Sequence, residues 1–258
     1  MREGGLDEAI RAAGGVGALA RALGISQPSV SNWNRIPAER VLAVEALTGV
    51  PRQVLRPDLY PGGEAPTEVD EVDLLRSHEY GMLALLLGRA PTKDVLQRLT
   101  LLKGDPTPLG LAHIALAEAA GSVDPDAVQR EYFDLFIGVG RGELLPYASY
   151  YLTGFLQDRP LVRVREDLGR LGVTRAEGNR EPEDHLAVLC EVMSGITAGQ
   201  YDTEPGTDEI FFERHFKPWA PRFFADLEEA KAARFYRPVG TIGRIFMQIE
   251  AEAFAMGA

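Results

Sequence analysis

The sequence has a single cysteine, no lysine before Lys93 and no long apolar run. Cys190 cannot form an internal disulfide, and its position on an apolar stripe favours inert packing over a reactive thiol. No segment is apolar over the length that a membrane span needs, and the first residues lack the apolar core of a signal peptide. These absences predict a cytoplasmic protein that does not insert into a membrane.

Charge is distributed unevenly along the chain. The net charge of the 258 residues is −11, and residues 1–60 carry seven arginines and six acids, which leaves −12 for residues 61–258. A strongly acidic region repels nucleic acid and attracts basic peptides, although acidity also serves solubility alone. The acidic part holds all the histidines, so histidine chemistry is expected there: His78, His113, His185 and His215.

Segment 57–73, with the sequence PDLYPGGEAPTEVDEVD, predicts a linker because prolines, a glycine pair and acids interrupt any helical stripe. We therefore predict a small domain at residues 1–60, a linker at 61–72 and a larger domain at 73–258. In the larger domain, helical periodicity occurs over residues 74–87, 92–103, 109–120, 125–136, 161–171, 182–198 and 221–235. Alternating strand patterns are scarce, so the predicted fold class is all-α in both domains.

A cluster of a proline, three acids and a histidine, residues 181–185, lies at a predicted helix start. Pro182 suits a first helical turn, and carboxylates there are favourable beside the positive end of the helix dipole. Within a helix, only Glu181 and His185 would have the four-residue spacing that permits contact. An apolar stripe follows at Leu186, Leu189, Cys190, Met193 and Ile196. Local sequence alone therefore favours a helix cap over a binding site.

Residues 16–35 contain the elements of a helix-turn-helix. Gly24 falls where the tight turn requires a residue that tolerates positive φ, and Ser26 is a good N-cap for the second helix. Val30 and Trp33 are predicted to point inward. The outward candidates are residue types that contact bases and phosphates in a major groove: Gln27, Ser29, Asn32 and Arg35.

The order of the segments GLDEAI, ALARALGIS, S-x-W and T-G-V resembles the Cro-like antitoxin family called YdaS over residues 5–60. The resemblance implies a small DNA-binding domain. A local charge of +1 is weak for a duplex binder, which relies on several phosphate contacts, so we expect a homodimer on operator DNA. A domain that serves only for protein contact is the alternative at this point.

Five motifs follow one another in the larger domain. Taken singly, the glycines after residue 137 predict a helix end, and the aromatic residues at 211–224 predict core packing. The motifs are Arg76 with Tyr80, Y-x-x-L-F-x-G-x-G at 132–140, P-Y-x-S at 146–149, E-P-x-D-H at 181–185 and F-F-x-x-H-x-x-P-W at 211–219. In this order they resemble the TorD/DmsD/NarJ family of chaperones for molybdenum redox enzymes, over residues 72–258.

The resemblance implies an all-helical chaperone that binds the N-terminal or twin-arginine signal region of an apo-molybdoenzyme catalytic subunit, for example of the formate dehydrogenase type. The peptide-binding residues that it implies are Tyr80, Leu135, Phe136, Gly138, Pro146, Tyr147, Pro182, Asp184 and His185, with Asp184 expected to contact a client arginine. No catalytic residue, metal or resident cofactor is expected, while binding of the molybdenum cofactor or of a nucleotide is left open. Ala148 departs from the family, where an acid is common, and so does the helix-turn-helix extension.

Two other functions compete with a chaperone. A transcriptional regulator would use the same residues, with the larger domain as a sensor of a peptide or a cofactor. An enzyme would need ligands or a nucleophile, but the chain contains no H-E-x-x-H, C-x-x-C or G-x-S-x-G motif. The sequence therefore favours a binding protein over an enzyme.

Overall fold

A computed structural model describes residues 4–60, 70–173 and 181–257. Regular structure in these ranges is helical, and the β-type pairing there is one isolated bridge between Tyr147 and His185. This confirms the all-α prediction. The chain forms two compact units, Met1–Glu68 and Val69–Ala258. None of the helices in the described ranges combines the length and the apolar character of a membrane span.

The N-terminal unit is a small bundle of short helices. They are α1 (Gly4–Ala12), α2 (Val16–Ala22), α3 (Gln27–Ser31), a 3-10 turn (Ala38–Arg40), α4 (Val41–Thr48) and α5 (Arg52–Leu55). Gly24 has a φ of 68°, and the Ser26 side chain accepts a hydrogen bond from the Ser29 backbone N–H, so both local predictions for the helix-turn-helix are confirmed. Val30 is fully buried, and Trp33 packs against the same core.

The C-terminal unit contains longer helices. They are α6 (Glu71–Gly88), α7 (Lys93–Leu99), α8 (Pro108–Ser122), α9 (Pro125–Tyr132) with a π turn (Phe133–Ile137), α10 (Ala148–Thr153), α11 (Arg159–Arg170), α12 (Leu186–Thr197), α13 (Thr207–His215), α14 (Ala220–Glu229) and α15 (Tyr236–Gly257). Asp70 caps α6, so residues 70–72 belong to a helix and its cap and not to the predicted linker. Linker residues 61–69 lie outside the described residues.

Helices α6 and α12 pack closely at the centre of this unit. The Ser77 hydroxyl donates to the Ser194 carbonyl at 2.9 Å, and the Ser194 hydroxyl donates to the Ser77 carbonyl at 2.9 Å. A Cβ at Gly81 would lie 3.4 Å from Ser194 Oγ, and one at Gly88 would lie 3.5 Å from the Ala187 Cβ. Small residues therefore bring the two helix backbones together.

A buried ion pair joins α6 to α15. Arg76 donates to both carboxylate oxygens of Glu250, at 2.8 and 2.9 Å, and to Asp208 at 2.9 Å. The Tyr80 hydroxyl donates to the same Glu250 at 2.8 Å, and burial raises the Tyr80 pKa well above its ordinary value. Because Glu250 is 1% exposed, this bidentate pair fixes the register of the two helices in a water-poor site.

Three predicted helix limits differ from the structure by four residues or more. The helix expected over 92–103 ends at Leu99. The helix expected from Pro182 begins at Leu186, because the His185 side chain accepts the Ala187 backbone N–H and the preceding residues form a turn. The helix expected over 221–235 ends at Glu229, and a new helix, α15, begins at Tyr236. The predicted aromatic core is confirmed, since Phe212, Phe216, Trp219, Phe223 and Phe224 are almost fully buried.

The buried Glu131 side chain holds the break between α14 and α15. Its Oε1 accepts the backbone N–H groups of Arg234 and Tyr236, each at 2.8 Å, and its Oε2 accepts that of Phe235 at 3.1 Å. Helix N-termini leave N–H groups without intrahelical partners, and here a distant carboxylate satisfies them. We expect a large part of the stability of this end of the unit to depend on Glu131.

Replacing Glu131 by Ala should destabilise the C-terminal unit by about 3 kcal/mol, because it leaves several buried N–H groups without acceptors. Urea unfolding followed by Trp219 fluorescence in a Trp33→Phe background measures this unit alone. The matched control is Glu118→Ala on α8, where the side chain is exposed and the free energy of unfolding should change by less than about 0.5 kcal/mol. Equal effects of the two substitutions would contradict the role of Glu131 in holding the start of α15.

Candidate functional site

The P-Y-x-S and E-P-x-D-H motifs meet at the start of α10. The Ala148 N–H donates to the Asp184 carbonyl at 3.0 Å, and the Leu186 N–H donates to the Pro146 carbonyl at 2.8 Å. The two segments therefore run antiparallel for one bridge, which pairs Tyr147 with His185. Two motifs that are more than 30 residues apart in sequence form one local structure.

Asp184 caps α10 and not the helix that follows it in sequence. Its side chain is fully buried, and its Oδ2 accepts the Ser149 backbone N–H at 2.9 Å and the Ser149 hydroxyl. Its Oδ1 is buried and has no hydrogen-bond partner among the described residues. The expected contact with a client arginine stays a prediction. In this structure the buried Asp184 side chain holds the start of α10 through Ser149.

His185 is the N-cap of α12. It is 6% exposed, its Nδ1 accepts the Ala187 N–H at 3.1 Å, and its ring lies edge-on to the Tyr147 ring at 5.0 Å between centroids. Burial lowers its pKa to about 4, despite the opposing charges of Glu181 and Asp184. The ring is therefore neutral at pH 7 and carries its proton on Nε2.

Glu181 and His185 both precede the first residue of α12, so they are not related by the four-residue spacing of a helix that the sequence suggested. The Tyr147 hydroxyl donates to Glu181 Oε1. Burial and this bond raise the Tyr147 pKa, which keeps the phenol protonated and able to donate. The Glu181 carboxylate is thereby held at the surface beside His185.

A cleft with a volume of about 650 Å³ opens between α6 and α12 beside these residues. Its lining includes small and apolar residues, among them Gly81, Ala84, Leu85 and Val188. Its polar lining comprises Arg89, Glu181, His185, Glu191, Ser194 and Gln200. An acidic rim over an apolar floor can bind an extended segment that carries both basic and apolar side chains.

Sequence reasoning missed Arg89, Glu191 and Gln200, because none of them belongs to a recognised motif. The signal that could have found the cleft is the spacing of Gly81, Ala84 and Gly88 along α6. Small residues at intervals of three and four mark a helix face that a neighbour approaches closely.

The predicted peptide-binding residues divide into three groups. Pro146, Tyr147, Pro182, Asp184 and His185 are brought together at the end of the cleft, and of these His185 lines it. Tyr80 and Leu135 are fully buried in the core, and Phe136 packs edge-on against Tyr132 and Tyr236. Gly138 ends the π turn with a φ of 62°, where a Cβ would collide with the Arg141 carbonyl.

The described residues contain no group of three or more His, Cys, Asp and Glu side chains that could hold a metal ion. Cys190 is fully buried, and burial raises the pKa of its thiol, so the predicted packing role is confirmed. The arrangement around the cleft offers hydrogen-bond donors, carboxylates and apolar surface. It is suited to binding.

The residues predicted to bind DNA lie on or directly after the short helix α3. Gln27, Ser29, Asn32 and Arg35 are all exposed. The Ser29 hydroxyl shares a 2.7 Å hydrogen bond with Ser26, and Arg35 lies 3.5 Å from Asp58, a loose pair between exposed side chains. The side chains are thus on the surface of the N-terminal unit and within reach of a ligand.

Comparison with known families matches each part of the chain. Residues 102–225 match the family described as nitrate reductase delta subunit, and residues 6–64 match the family described as bacterial toxin YdaS. The second description names a toxin, where the sequence resemblance pointed to an antitoxin. Both matches fall on the parts of the chain for which the motifs predicted a family resemblance.

Individual relatives are similar to a large part of the chain. The chain is 27% identical over 190 residues to the chaperone protein TorD of Vibrio cholerae serotype O1 (strain ATCC 39315 / El Tor Inaba N16961), covering 70% of this chain and 82% of that protein. It is 24% identical over 135 residues to the chaperone protein TorD of Vibrio atlanticus (strain LGP32), covering 48% of this chain and 63% of that relative. The chain therefore spans less than two thirds of the second relative.

A solved structure has the same fold. The crystal structure of a proposed redox enzyme maturation protein from Archaeoglobus fulgidus superposes with a TM-score of 0.50 at 23% identity, over 67% of this chain and 94% of that one. Together these matches confirm the two resemblances predicted from the sequence, to TorD-like proteins in the C-terminal unit and to YdaS in the helix-turn-helix that precedes it.

The low pKa of His185 predicts that stability falls in mild acid. The folded chain keeps the ring neutral down to about pH 4, whereas the unfolded chain protonates it near pH 6.5. The contribution of the neutral ring to the free energy of unfolding is fully present above pH 6.5. It decreases as the pH falls towards 4, by about 2 kcal/mol at pH 5. The variant His185→Asn retains an acceptor for the α12 cap. Between pH 7.5 and pH 5 we expect its free energy of unfolding to fall by about 2 kcal/mol less than that of the wild type.

The control for this prediction is His78→Asn on α6, which replaces an exposed histidine. It should show the same pH dependence as the wild type when the free energy of unfolding is measured by urea denaturation at both pH values. If His185→Asn also follows the wild type, the ring is not held neutral by the fold.

Proposed function

We propose that this chain, whose C-terminal unit is TorD-like, is a cytoplasmic chaperone that assists the maturation of a molybdenum-containing oxidoreductase. It binds the N-terminal or twin-arginine signal region of the apo-enzyme, for which a formate dehydrogenase is a suitable example. The relatives reported above carry the names of chaperones and of a redox enzyme maturation protein, which supports a binding role. The proposal requires no resident cofactor.

The cleft between α6 and α12 carries this proposal. Two carboxylates, Glu181 and Glu191, stand at its rim, against one lining arginine, Arg89. Arginine side chains favour carboxylates, with which they form two parallel hydrogen bonds, and the apolar floor suits the apolar stretch of a signal region. A basic and apolar peptide is the ligand that this surface fits best.

Two motif residues that do not line the cleft hold one that does: Asp184 fixes the start of α10, and Tyr147 on that segment orients the Glu181 carboxylate. His185 both lines the cleft and caps the start of α12. In this proposal the buried members of the family motif position the binding surface, and exposed neighbours make the contacts with the peptide. The proposed site is therefore larger than the motif.

Binding of a basic, apolar peptide should require the two rim carboxylates. The probe is a fluorescein-labelled peptide with two adjacent arginines followed by an apolar stretch, and fluorescence anisotropy measures its Kd. We expect Glu181→Gln with Glu191→Gln to weaken binding about tenfold, since each lost charge pair at a partly exposed site contributes up to about 1 kcal/mol. Glutamine keeps an acceptor for Tyr147, so the fold should be unchanged.

The matched control is Glu118→Gln with Glu252→Gln, two exposed glutamates on α8 and α15 that lie outside the cleft. It removes the same charge and should bind the peptide like the wild type. A peptide with glutamines in place of the two arginines should bind weakly to every variant. Equal losses in both double variants would indicate a general charge effect and contradict the proposed site.

A second function is supported by the helix-turn-helix. The exposed side chains of α3 and its flank are suited to a major groove, and in this role the chain regulates transcription, with the C-terminal unit as a sensor of a peptide or cofactor. The near-neutral charge of residues 1–60 makes a homodimer on operator DNA the expected form. An adjacent molybdoenzyme gene would favour the chaperone, and scattered operators would favour the regulator.

The DNA-binding role predicts retardation of the chain's own upstream region in a gel-shift assay at low salt. Gln27→Ala and Asn32→Ala should each weaken the free energy of DNA binding by about 1–3 kcal/mol, because each removes a side chain that can form two hydrogen bonds with adenine. The control is Gln53→Ala, an exposed glutamine on α5. Absence of retardation by the wild type, or equal losses in all three variants, would overturn this role and leave the unit as a protein contact.

A further inference from the structure

A second cavity, with a volume of about 310 Å³, lies where the end of α11 meets α13 and the loop before it. Its lining shares no residue with the cleft between α6 and α12. Leu171, Ile210 and Phe211 provide its apolar surface. A cavity of this size with a few charged groups around an apolar surface is typical of a small-ligand site.

Two arginines meet at one end of this cavity. Arg170 and Arg214 each donate through one Nη1 to the same oxygen, Asp167 Oδ1, at 2.7 and 3.1 Å. Asp167 is 8% exposed, whereas the Arg170 and Arg214 side chains are 69% and 41% exposed. The buried carboxylate therefore holds two guanidinium groups at the opening, and each keeps further N–H donors for a ligand.

The other oxygen of this carboxylate is bound to a buried histidine. The His215 Nε2 lies 2.7 Å from Asp167 Oδ2, and burial lowers the pKa of the ring, which is neutral at pH 7. With a neutral His215, two arginines face a single carboxylate. This end of the cavity therefore carries a surplus of one positive charge, which a ligand carboxylate can neutralise.

The opposite end of the cavity is acidic. Asp202 and Glu204 line it from the loop that precedes α13, and neither side chain forms an ion pair with another described residue. Along α13, Thr207 and Arg214 are seven residue steps apart, which corresponds to about 10 Å at 1.5 Å per residue. The cavity is thus dipolar, with acids at the start of α13, arginines at its end and apolar side chains between them.

We propose that this cavity binds the carboxylate end of a short apolar peptide. The terminal carboxylate contacts Arg170 and Arg214, the apolar side chains lie on Leu171 and Ile210, and an amino group or basic side chain faces Asp202 and Glu204. The same chemistry could be supplied by a free dipeptide or by the C-terminus of a protein. This site goes beyond the proposed function, because no residue of the signal-binding cleft contributes to it.

The experiment is a titration of the full chain, followed by NMR shifts or calorimetry, with three probes. Ala-Leu carries both charges, acetyl-Ala-Leu lacks the amino group, and Ala-Leu amide lacks the carboxylate. We expect saturable binding of Ala-Leu and at least about tenfold weaker binding of the amide. Binding of acetyl-Ala-Leu like Ala-Leu indicates the C-terminus of a protein as the source, and clearly weaker binding indicates a free dipeptide; both support the site.

Substitutions test the named residues. Arg170→Gln should weaken Ala-Leu binding about tenfold, whereas Arg159→Gln, at an exposed arginine at the start of the same helix and outside the cavity, should not. Ile210→Trp, at a side chain that is 59% exposed, should fill the cavity and block binding without unfolding the chain. Binding of the amide as tightly as the free acid, wild-type affinity in Arg170→Gln, or no saturable binding of any probe would overturn the proposal.

Discussion

The candidate cleft depends on the close contact between α6 and α12. The hydroxyl groups of Ser77 and Ser194 each donate to the backbone carbonyl of the other residue. Larger side chains at these positions would keep the two helices apart. Arg76 on α6 is in turn fixed by the buried carboxylate of Glu250 on α15. Because a buried pair that loses one partner leaves an uncompensated charge, the position of α6 is strongly determined. The packing of α6 against α12 therefore sets the walls of the cleft, and the side chains of Glu181 and Glu191 lie exposed at its rim.

Carboxylates that serve helix N-termini elsewhere in the chain form a second organising feature. Asp184 accepts a backbone N–H at the start of α10, and Glu131 accepts such groups at the start of α15. Glu143 accepts the N–H groups of Lys231 and Ala232, in the connection between α14 and α15, at 2.7 and 3.0 Å. Each of these contacts joins segments more than 30 residues apart. These carboxylates fix helix starts and a connection relative to the core. Asp184, which belongs to the E-P-x-D-H motif, therefore has a structural role in addition to any role in recognition.

Local features were predictable from the sequence and long-range ones were not. Gly24 and Ser26 act through their own backbone or through a neighbour three residues away, so their roles in the helix-turn-helix follow from residue type and spacing. Asp184 was assigned to the helix that follows it, because nothing in residues 181–190 reveals a partner at Ser149. The family resemblance identified the segments that meet at the site. It could not tell which of their side chains are buried, because exposure depends on how the helices pack.

The buried His185 sets the electrostatic character of the cleft. Burial costs a charged imidazole more than the nearby Glu181 and Asp184 return, so the ring stays neutral at pH 7. Among the described residues that line the cleft, two carboxylates, Glu181 and Glu191, then stand against one arginine, Arg89. A protonated ring would cancel the remaining negative charge and strain the α12 cap, whose N–H group needs an unprotonated Nδ1. The same burial therefore stabilises the helix start and keeps the surface attractive to basic ligands.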